Sequence, residues 1–255
     1  MAKATGYETD LYTINGAGPL FPRGKPDVIE KDVLGPIDSN GAKALRALID
    51  GPPSQLSPEQ QEFWATFVNS LLERHPQRIY GRDRIAEKLA RERLDAIRQK
   101  FAPPPPGRPD VFEMVAPHIE SLARDMHRRH IANEMTNPRS IGYLKSLEFT
   151  KFTLDAESPL RFVTADNPVL VNGGQPWPID FLSIALGPRD LLFAWNNREP
   201  LTDDETIRGL ALIHNLQLFL QAEYVFSQGP LVDLEGVRMR YAAQISLKQV
   251  PWRKS

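Results

Sequence analysis

The spacing of apolar residues changes once along this chain, and that change constrains the fold more than any other feature. Up to Asn137-Pro138 the apolar residues recur at helical intervals, whereas later ones form short runs bounded by turn residues. The first pattern predicts amphipathic helices and the second predicts β-strands. Because the two patterns are segregated, the sequence predicts an α+β fold, with a helical N-terminal half packed on a mostly antiparallel C-terminal sheet.

Start signals predict two of the helices. Ser57-Pro58-Glu59-Gln60 is a capping box with proline at the first helical position, and it opens a helix ending near Glu73. Pro109-Asp110 starts another helix that runs to about Met135. Between Val28 and Ile49, the pair Gly35-Pro36 predicts two helices or a kink, because proline removes a backbone donor.

Arg82–Phe101 is predicted as a further amphipathic helix. Its apolar spacing predicts that it buries four residues, which are Ile85, Leu89, Leu94 and Ile97. The four prolines that follow, Pro103–Pro106, are interpreted as a stiff spacer rather than a partner-docking motif.

The C-terminal half is predicted to hold short strands around one helix. The strands are Phe149–Leu154, Leu160–Thr164, Pro168–Val171, Phe181–Leu186 and Leu191–Trp195, with Tyr224–Ser227 and Ala242–Val250 as final candidates. A capping box at Thr202–Glu205 opens the helix 203–222, which is apolar on nearly every side. We therefore predict that this helix is the buried central element.

The domain prediction follows from these elements. A chain of 255 residues can form one large domain without metals or disulfides. We predict a single domain over 1–255, composed of an extended arm at 1–27, a mainly helical part at 28–147, and a sheet-rich part at 148–255. Within the arm, Asp10–Ile14 is the best candidate for a strand.

Charge and cysteine content exclude several classes of protein. The chain has 31 basic residues, 32 acidic residues and no cysteine, so disulfides, thiolate zinc sites and a cysteine nucleophile are excluded. The longest apolar runs are too short to span a bilayer, which predicts a cytoplasmic protein without a membrane partner. The stretch Arg74–Lys100 carries nine basic and four acidic residues. With Tyr80 as its one aromatic side chain, it is interpreted as a solvated face, and a nucleic-acid partner is disfavoured.

Two polar features of the sequence are candidate functional sites. His127, His130 and Glu134 share one helix face at a spacing compatible with metal ligation, but their neighbours are strongly basic, so a solvated face is favoured. His214-Asn215 interrupts an apolar helix and must find partners, either by capping a neighbouring strand or by supporting a site.

The segment Thr164-Ala165-Asp166-Asn167-Pro168-Val169 is the sharpest local motif. As a turn between strands, its Asp and Asn side chains would bond the local backbone. As a functional motif, it would place Asp166 at a strand end as a metal ligand or general base. Both interpretations stay open from the sequence.

The chain resembles a known family at motifs that occur in the family's order. These are Glu8–Tyr12, Ile29-Glu30 with Leu34 and Asp38, Arg74-His75-Pro76, Thr164–Val169, Leu186-Gly187-Pro188, and Asn215 leading to Tyr224–Ser227. They resemble the family called domain of unknown function 4238, over roughly residues 7–227. The chain differs from it in three ways: it has no opening His-Tyr-hydrophobic-Pro motif, Ala165 stands where serine is common, and Asp38 where glutamate is common. Because this opening motif is missing, the chain is interpreted either as truncated or as a degenerate member of the family.

The resemblance implies an intracellular, mostly microbial protein with a mixed helical and sheet fold. It implies no established activity, cofactor or substrate. Two functions therefore stay open. The favoured one is a binding or regulatory module in which Arg74, Asn167 and Asn215 line a polar cleft and Arg74 pairs with Glu30 or Asp38 rather than with a ligand. The alternative is a metal-assisted hydrolase in which Glu30, Asp38 and Asp166 hold Mg²⁺ or Mn²⁺ and Arg74 binds a phosphoester or similar anionic substrate.

Overall fold

The computed structural model describes residues 29–158, 160–173, 179–195, 204–222 and 224–226. Over these residues the fold is α+β, as the sequence predicts, with five helices preceding a four-stranded antiparallel sheet. The predicted arm at 1–27, its strand Asp10–Ile14, and the predicted strand Ala242–Val250 lie outside the described residues. The chain forms two compact units, Met1–Ala42 with Glu62–Leu144, and Lys43–Gln61 with Lys145–Ser255. The single domain over 1–255 stays a prediction.

The helices are α1 (Gly35–Asp50), α2 (Pro58–Glu73), α3 (Pro76–Arg98), α4 (Val111–Met135), α5 (Pro138–Ser146) and α6 (Asp204–Gln221), with a π-helical turn at Ile29–Leu34 and a 3-10 turn at Pro53–Gln55. Helices α2 and α4 begin and end close to the sequence signals, whereas α3 begins at Pro76 rather than at the predicted Arg82, and α5 was not predicted. The predicted interruption at Gly35-Pro36 is confirmed, because the π-helical turn ends and α1 begins there.

The predicted caps at Ser57 and Asp110 are confirmed, whereas Thr202 and Asp203 of the capping box predicted for α6 lie outside the described residues. The Ser57 N–H donates to Gln60 Oε1 at 2.8 Å, and the Gln60 N–H donates to Ser57 Oγ at 3.2 Å, so the two residues satisfy each other's free donors. Asp110 precedes α4, and its Oδ1 accepts from the Phe112 N–H at 2.9 Å. Each cap depends on residues within three positions, which is why the sequence alone locates it.

The core of the first unit joins residues from four helical elements. It contains Ile29, Leu34, Ile37, Ile79, Ile131, Ala132 and Met135. Asn69 on α2 supports this core by donating its side-chain amide to the carbonyls of Glu134 and Met135, at 2.7 and 3.0 Å. Asn69 thereby satisfies the Met135 carbonyl and gives the Glu134 carbonyl, which also accepts from the Asn137 N–H, a further donor at the end of α4.

The predicted buried face of α3 is wrong in three of its four residues. Leu94 is buried, but Ile85, Leu89 and Ile97 are 58%, 52% and 48% exposed. The buried stripe of α3 instead runs through Ile79, Asp83 and Leu94. A helix buries whichever face its neighbour covers, and that neighbour is α4.

Two sheets form the second unit. Strands β1 (Phe149–Thr153), β5 (Asp190–Trp195), β4 (Ile179–Ala185) and β3 (Val169–Gly173) form the larger sheet in that order, and β2 (Thr164–Ala165) pairs with β6 (Val225–Phe226). All four pairings that join these strands are antiparallel.

The predicted strand Leu160–Thr164 is wrong except at Thr164. Residues 160–163 have no regular secondary structure. Their backbone groups bond to a side chain and to a turn: the Phe162 N–H donates to the Pro188 carbonyl at 2.8 Å, and the Val163 N–H donates to Asn215 Oδ1 at 3.0 Å. Apolar side chains therefore point into the core here without a strand partner.

Helix α6 is buried on one side. Leu218 is fully buried and Leu216 nearly so, whereas Ile213 and Leu220 are about half exposed, at 49% and 51%. The buried side packs Leu218 with Val163, Ala165 and Leu170. The helix is central to this core, but the prediction of burial on nearly every side is wrong at Ile213.

Candidate functional site

The predicted site residues fall into two groups, one in each compact unit. Glu30, Asp38 and Arg74 belong to the first unit, and Asp166, Asn167 and Asn215 belong to the second. Convergence of the two groups around one ligand stays a prediction.

Arg74 lies directly after α2, where it is held by an ion pair and an aromatic ring. Its Nη1 donates to Asp38 Oδ1 on α1 at 2.8 Å, and its guanidinium carbon lies 5.8 Å from the centre of the Phe67 ring. The Arg74 side chain is 20% exposed and that of Asp38 is 49% exposed. Glu30 lies in the π-helical turn and is exposed. Arg74 therefore pairs with Asp38, which is one of its two predicted partners.

The position of the Phe67 ring depends on Gly41 of α1. A Cβ placed on Gly41 would lie 2.5 Å from two ring carbons of Phe67 and 2.8 Å from its Cβ. The absence of a side chain at Gly41 therefore lets Phe67 reach its place beside Arg74.

The Asp166 side chain bonds the backbone beside a distant strand rather than the local backbone of the turn interpretation. The Asp166 N–H donates to the Tyr224 carbonyl at 3.1 Å, and Asp166 Oδ1 accepts from the Tyr224 N–H at 3.3 Å. These two bonds extend the β2–β6 pairing by one residue. Asp166 is exposed and Asn167 is half-buried. The Asp166 carboxylate therefore acts as a backbone acceptor, and its role as a metal ligand stays a prediction.

Asn215 is buried and uses both ends of its amide on the backbone. Its Oδ1 accepts from the Val163 N–H at 3.0 Å, and its Nδ2 donates to the Arg161 carbonyl at 2.7 Å. The turn after β4 holds the same segment, through the Phe162 N–H and the Pro188 carbonyl. Asn215 thus caps an irregular segment rather than a strand, and a ligand-binding role for it stays a prediction.

A buried Ser–His pair lies beside Asn215. Ser183 Oγ on β4 and His214 Nδ1 on α6 are 3.0 Å apart, and the Phe162 ring meets the imidazole edge-on at 6.0 Å. Burial lowers the pKa of His214 to about 4, although the Val163 backbone opposes this effect. His214 is therefore neutral near pH 7. The sequence identifies His214 as a polar residue in an apolar helix. It does not identify Ser183, because nothing local distinguishes this serine from other serines in apolar surroundings.

A buried ionic cluster between α3 and α4 was not predicted. Asp83 Oδ1 lies 2.9 Å from His127 Nδ1, and Asp83 Oδ2 accepts from Arg128 Nε at 3.1 Å. Asp83 and Arg128 are 4% and 6% exposed. The solvated face predicted for this part of α4 is therefore wrong at His127 and Arg128. The available signal was the position of Asp83, four residues after Ile79 on the stripe that α4 covers.

Several arginines of the basic stretch Arg74–Lys100 are paired with carboxylates. Arg82 contacts Glu73, Arg91 contacts Glu113 and Glu120, and Arg98 contacts Asp110 and Glu113. Most of these partners belong to α4 or to its cap. Pairing of this kind lowers the positive potential that phosphate binding requires.

The described residues contain no group of three His, Asp or Glu side chains placed to hold a metal ion. Within the same residues, no helix has both the length and the apolarity needed to cross a membrane. The geometry defines an α+β protein whose buried polar groups are bonded largely to its own backbone and side chains.

A family model described as "Protein of unknown function (DUF4238)" matches residues 1–184. Because this match covers more than half of the 255 residues, the chain belongs to the DUF4238 family. The motifs at 164–169 and at Arg74 lie within the match, whereas Leu186–Pro188 and Asn215 lie beyond it. No curated protein and no solved structure matched the chain.

Proposed function

We propose that this protein is a non-catalytic binding module that recognises an anionic group through Arg74. The observation that carries the proposal is the geometry of Arg74, whose guanidinium lies over the Phe67 ring and bonds the half-exposed carboxylate of Asp38. A guanidinium fixed in this way is oriented before a ligand arrives, which lowers the cost of ordering on binding.

Displacement of Asp38 by a ligand would cost little. Exposed ion pairs contribute about 0–1 kcal/mol, and the Asp38 side chain is 49% exposed. A phosphate or carboxylate could therefore replace it at the guanidinium. The bonds of Asp166 and Asn215 to the backbone support a binding module over a hydrolase, because they give these residues roles in holding the fold.

The binding arm of the test is a calorimetric titration with inorganic phosphate and with acetate. We expect Arg74→Gln to abolish binding and Asp38→Asn to strengthen it, since the latter removes a competing carboxylate. Arg129→Gln is the matched control, because it removes one exposed positive charge of α4 in the same unit. Equal affinities in the parent and in Arg74→Gln would contradict the proposal.

The catalytic arm tests the metal-assisted hydrolase. Thermal unfolding of the parent, Asp166→Asn and Asp155→Asn is measured with and without Mg²⁺ or Mn²⁺. A cation that binds the native state raises its stability, by about 2.7 kcal/mol at a hundredfold excess over Kd. We expect no shift in any variant. A shift in the parent and in Asp155→Asn that Asp166→Asn removes, together with hydrolysis of p-nitrophenyl phosphate, would establish the alternative.

The setting we propose is cytoplasmic, without a nucleic-acid partner. The absence of cysteine is consistent with a reducing compartment. The carboxylates paired with Arg82, Arg91 and Arg98 support the second point. Retention of duplex DNA binding at physiological salt would contradict it.

A further inference from the structure

A cavity of about 520 Å³ lies where α3 ends and the connection to α4 begins. Its lining includes Asp95, Arg98, Phe101, Pro103, Asp110 and Phe112. A volume of this size is in the range of small-molecule sites. The cavity does not involve Arg74, so it is argued independently of the proposed function.

Two aromatic rings form one side of the cavity. The centres of the Phe101 and Phe112 rings are 5.7 Å apart, and their planes meet at 45°. Phe101 is 63% exposed, so its ring is accessible to a ligand. Aromatic rings that line a cavity can attract an organic cation through their electron-rich faces.

The charges around the cavity favour a cation, although Arg98 is part of the lining. The guanidinium of Arg98 is bound by Asp110 and by Glu113, the latter at 3.0 Å. Glu113 and Glu120 also bind Arg91, at 3.1 and 3.3 Å. This connected network therefore contains three carboxylates and two guanidinium groups.

Asp95 adds a further carboxylate to the lining, and among the described residues no side chain pairs with that carboxylate. Lys100 and Arg108 belong to the same connection but are not among the lining residues. The cavity lies between the C-terminal end of α3, where the partial charge of the helix is negative, and the N-terminal end of α4, where it is positive, so the charged side chains decide the sign. The lining itself therefore holds two carboxylates, Asp95 and Asp110, against one guanidinium, Arg98, beside two aromatic rings.

The connection that carries Phe101 is restrained. Its four consecutive prolines have fixed φ angles, and they lead into a turn in which the Arg108 N–H donates to the Pro105 carbonyl at 3.1 Å. Gly107 has a φ of 81° in this turn, a conformation that glycine adopts without strain. A restrained wall reduces the entropy lost when a ligand binds.

We propose that this cavity binds a quaternary ammonium group, with Phe101 and Phe112 contacting the methyl groups and Asp95 supplying the opposing charge. A quaternary ammonium suits the cavity because it needs no hydrogen-bond acceptor, and aromatic rings with a nearby carboxylate recognise it. The group could belong to a free small molecule such as choline or to a trimethylated lysine in a peptide.

The test is a calorimetric titration of the full chain with choline chloride, with a trimethyllysine peptide and with dimethylbutanol. The last of these is the uncharged isostere of choline. We expect at least one of the two cations to bind, and the uncharged isostere to bind about tenfold more weakly or not at all. Tighter binding of the peptide than of choline assigns the source to a protein, and the reverse assigns it to a small molecule.

Two variants locate the site. Phe101→Leu keeps an apolar side chain but removes the aromatic face, and we expect it to weaken binding about tenfold. Asp95→Asn should weaken cation binding and leave dimethylbutanol unaffected. Glu92→Gln is the control, because it removes a carboxylate from the same helix outside the cavity. Circular dichroism verifies that each variant is folded.

Three results would overturn the proposal: no binding of either cation, equal binding of choline and dimethylbutanol, or equal affinities of the parent and Phe101→Leu. Because the probes are cations, these failures are distinguishable from failure of the anion site at Arg74.

Discussion

Asn215 and Val163 are joined by a hydrogen bond from the backbone N–H of Val163 to the side-chain oxygen of Asn215, at 3.0 Å and 52 positions apart in sequence. The other end of the same amide donates to the Arg161 carbonyl at 2.7 Å. One side chain of α6 thus replaces the strand partner that residues 161–163 lack.

Replacement of Asn215 by alanine should destabilise the protein by about 2–4 kcal/mol. The change leaves a buried N–H and a carbonyl unpaired, and each such group costs about 1–3 kcal/mol. Denaturant unfolding gives the free energy directly. Asn172→Ala, at an exposed position of β3, should change it by less than about 0.5 kcal/mol. An equally small effect at Asn215 would show that these bonds do not stabilise the fold.

Stability should fall as the pH decreases from about 6.5 towards 4. Burial lowers the pKa of His214 to about 4 from 6.5, so the unfolded chain takes up a proton at this position before the folded one does. Proton uptake therefore favours unfolding across this window, by on the order of 3 kcal/mol at its lower end, and adds nothing further below it.

The measurement is the unfolding free energy at several pH values for the parent and for His214→Gln. The variant keeps a polar side chain near Ser183 but does not titrate, so its pH dependence reports the remaining groups. The two curves should diverge below pH 6.5. Parallel curves would mean that His214 does not couple protonation to folding.

Replacement of Gly41 by alanine should destabilise the protein by about 1–3 kcal/mol, because the new methyl group would overlap the Phe67 ring. The displacement of that ring should also weaken anion binding at Arg74. Gly142→Ala on α5 is the matched control, since a Cβ there meets nothing within 4 Å. The control should be neutral or stabilising by up to about 1 kcal/mol, as alanine favours helix over glycine. A neutral or stabilising effect of Gly41→Ala would contradict the close approach between Gly41 and the Phe67 ring.

Replacement of Asp83 by alanine should destabilise the protein by about 3–5 kcal/mol. Asp83 contacts both His127 and Arg128 inside the α3–α4 interface, and its removal takes a counter-charge from a buried guanidinium. Glu92→Gln, on the exposed side of α3, should have little effect on the denaturant midpoint. If the two variants unfold alike, the cluster contributes nothing to stability.

The elements that were correctly predicted depend on short-range chemistry. The capping box at Ser57 and the cap at Asp110 satisfy donors within three residues, so their sequences suffice to locate two helix starts. The break at Gly35-Pro36 follows from the covalent structure of proline. The α+β class follows from the two apolar periods, since each period permits one kind of backbone.

The errors concern which partner covers a surface. The periodicity of α3 offers more than one face, and packing against α4 selects the one that contains Ile79, Asp83 and Leu94. The buried ionic cluster is a consequence of that choice. Similarly, the apolar run at 160–163 has strand composition, but Asn215 and Pro188 take the backbone bonds that a neighbouring strand would need.

The sequence by itself therefore determined the fold class, the starts of α2 and α4 and the exclusion of cysteine chemistry, because these depend on composition and on bonds between near neighbours. The tertiary structure decided the partners of Arg74, Asp83, Asp166 and Asn215. Each of these residues lies 36 to 58 positions from its partner in the sequence. No local pattern encodes such a pairing, since it arises when the free energy of burying whole faces brings distant polar groups together and forces them to satisfy one another.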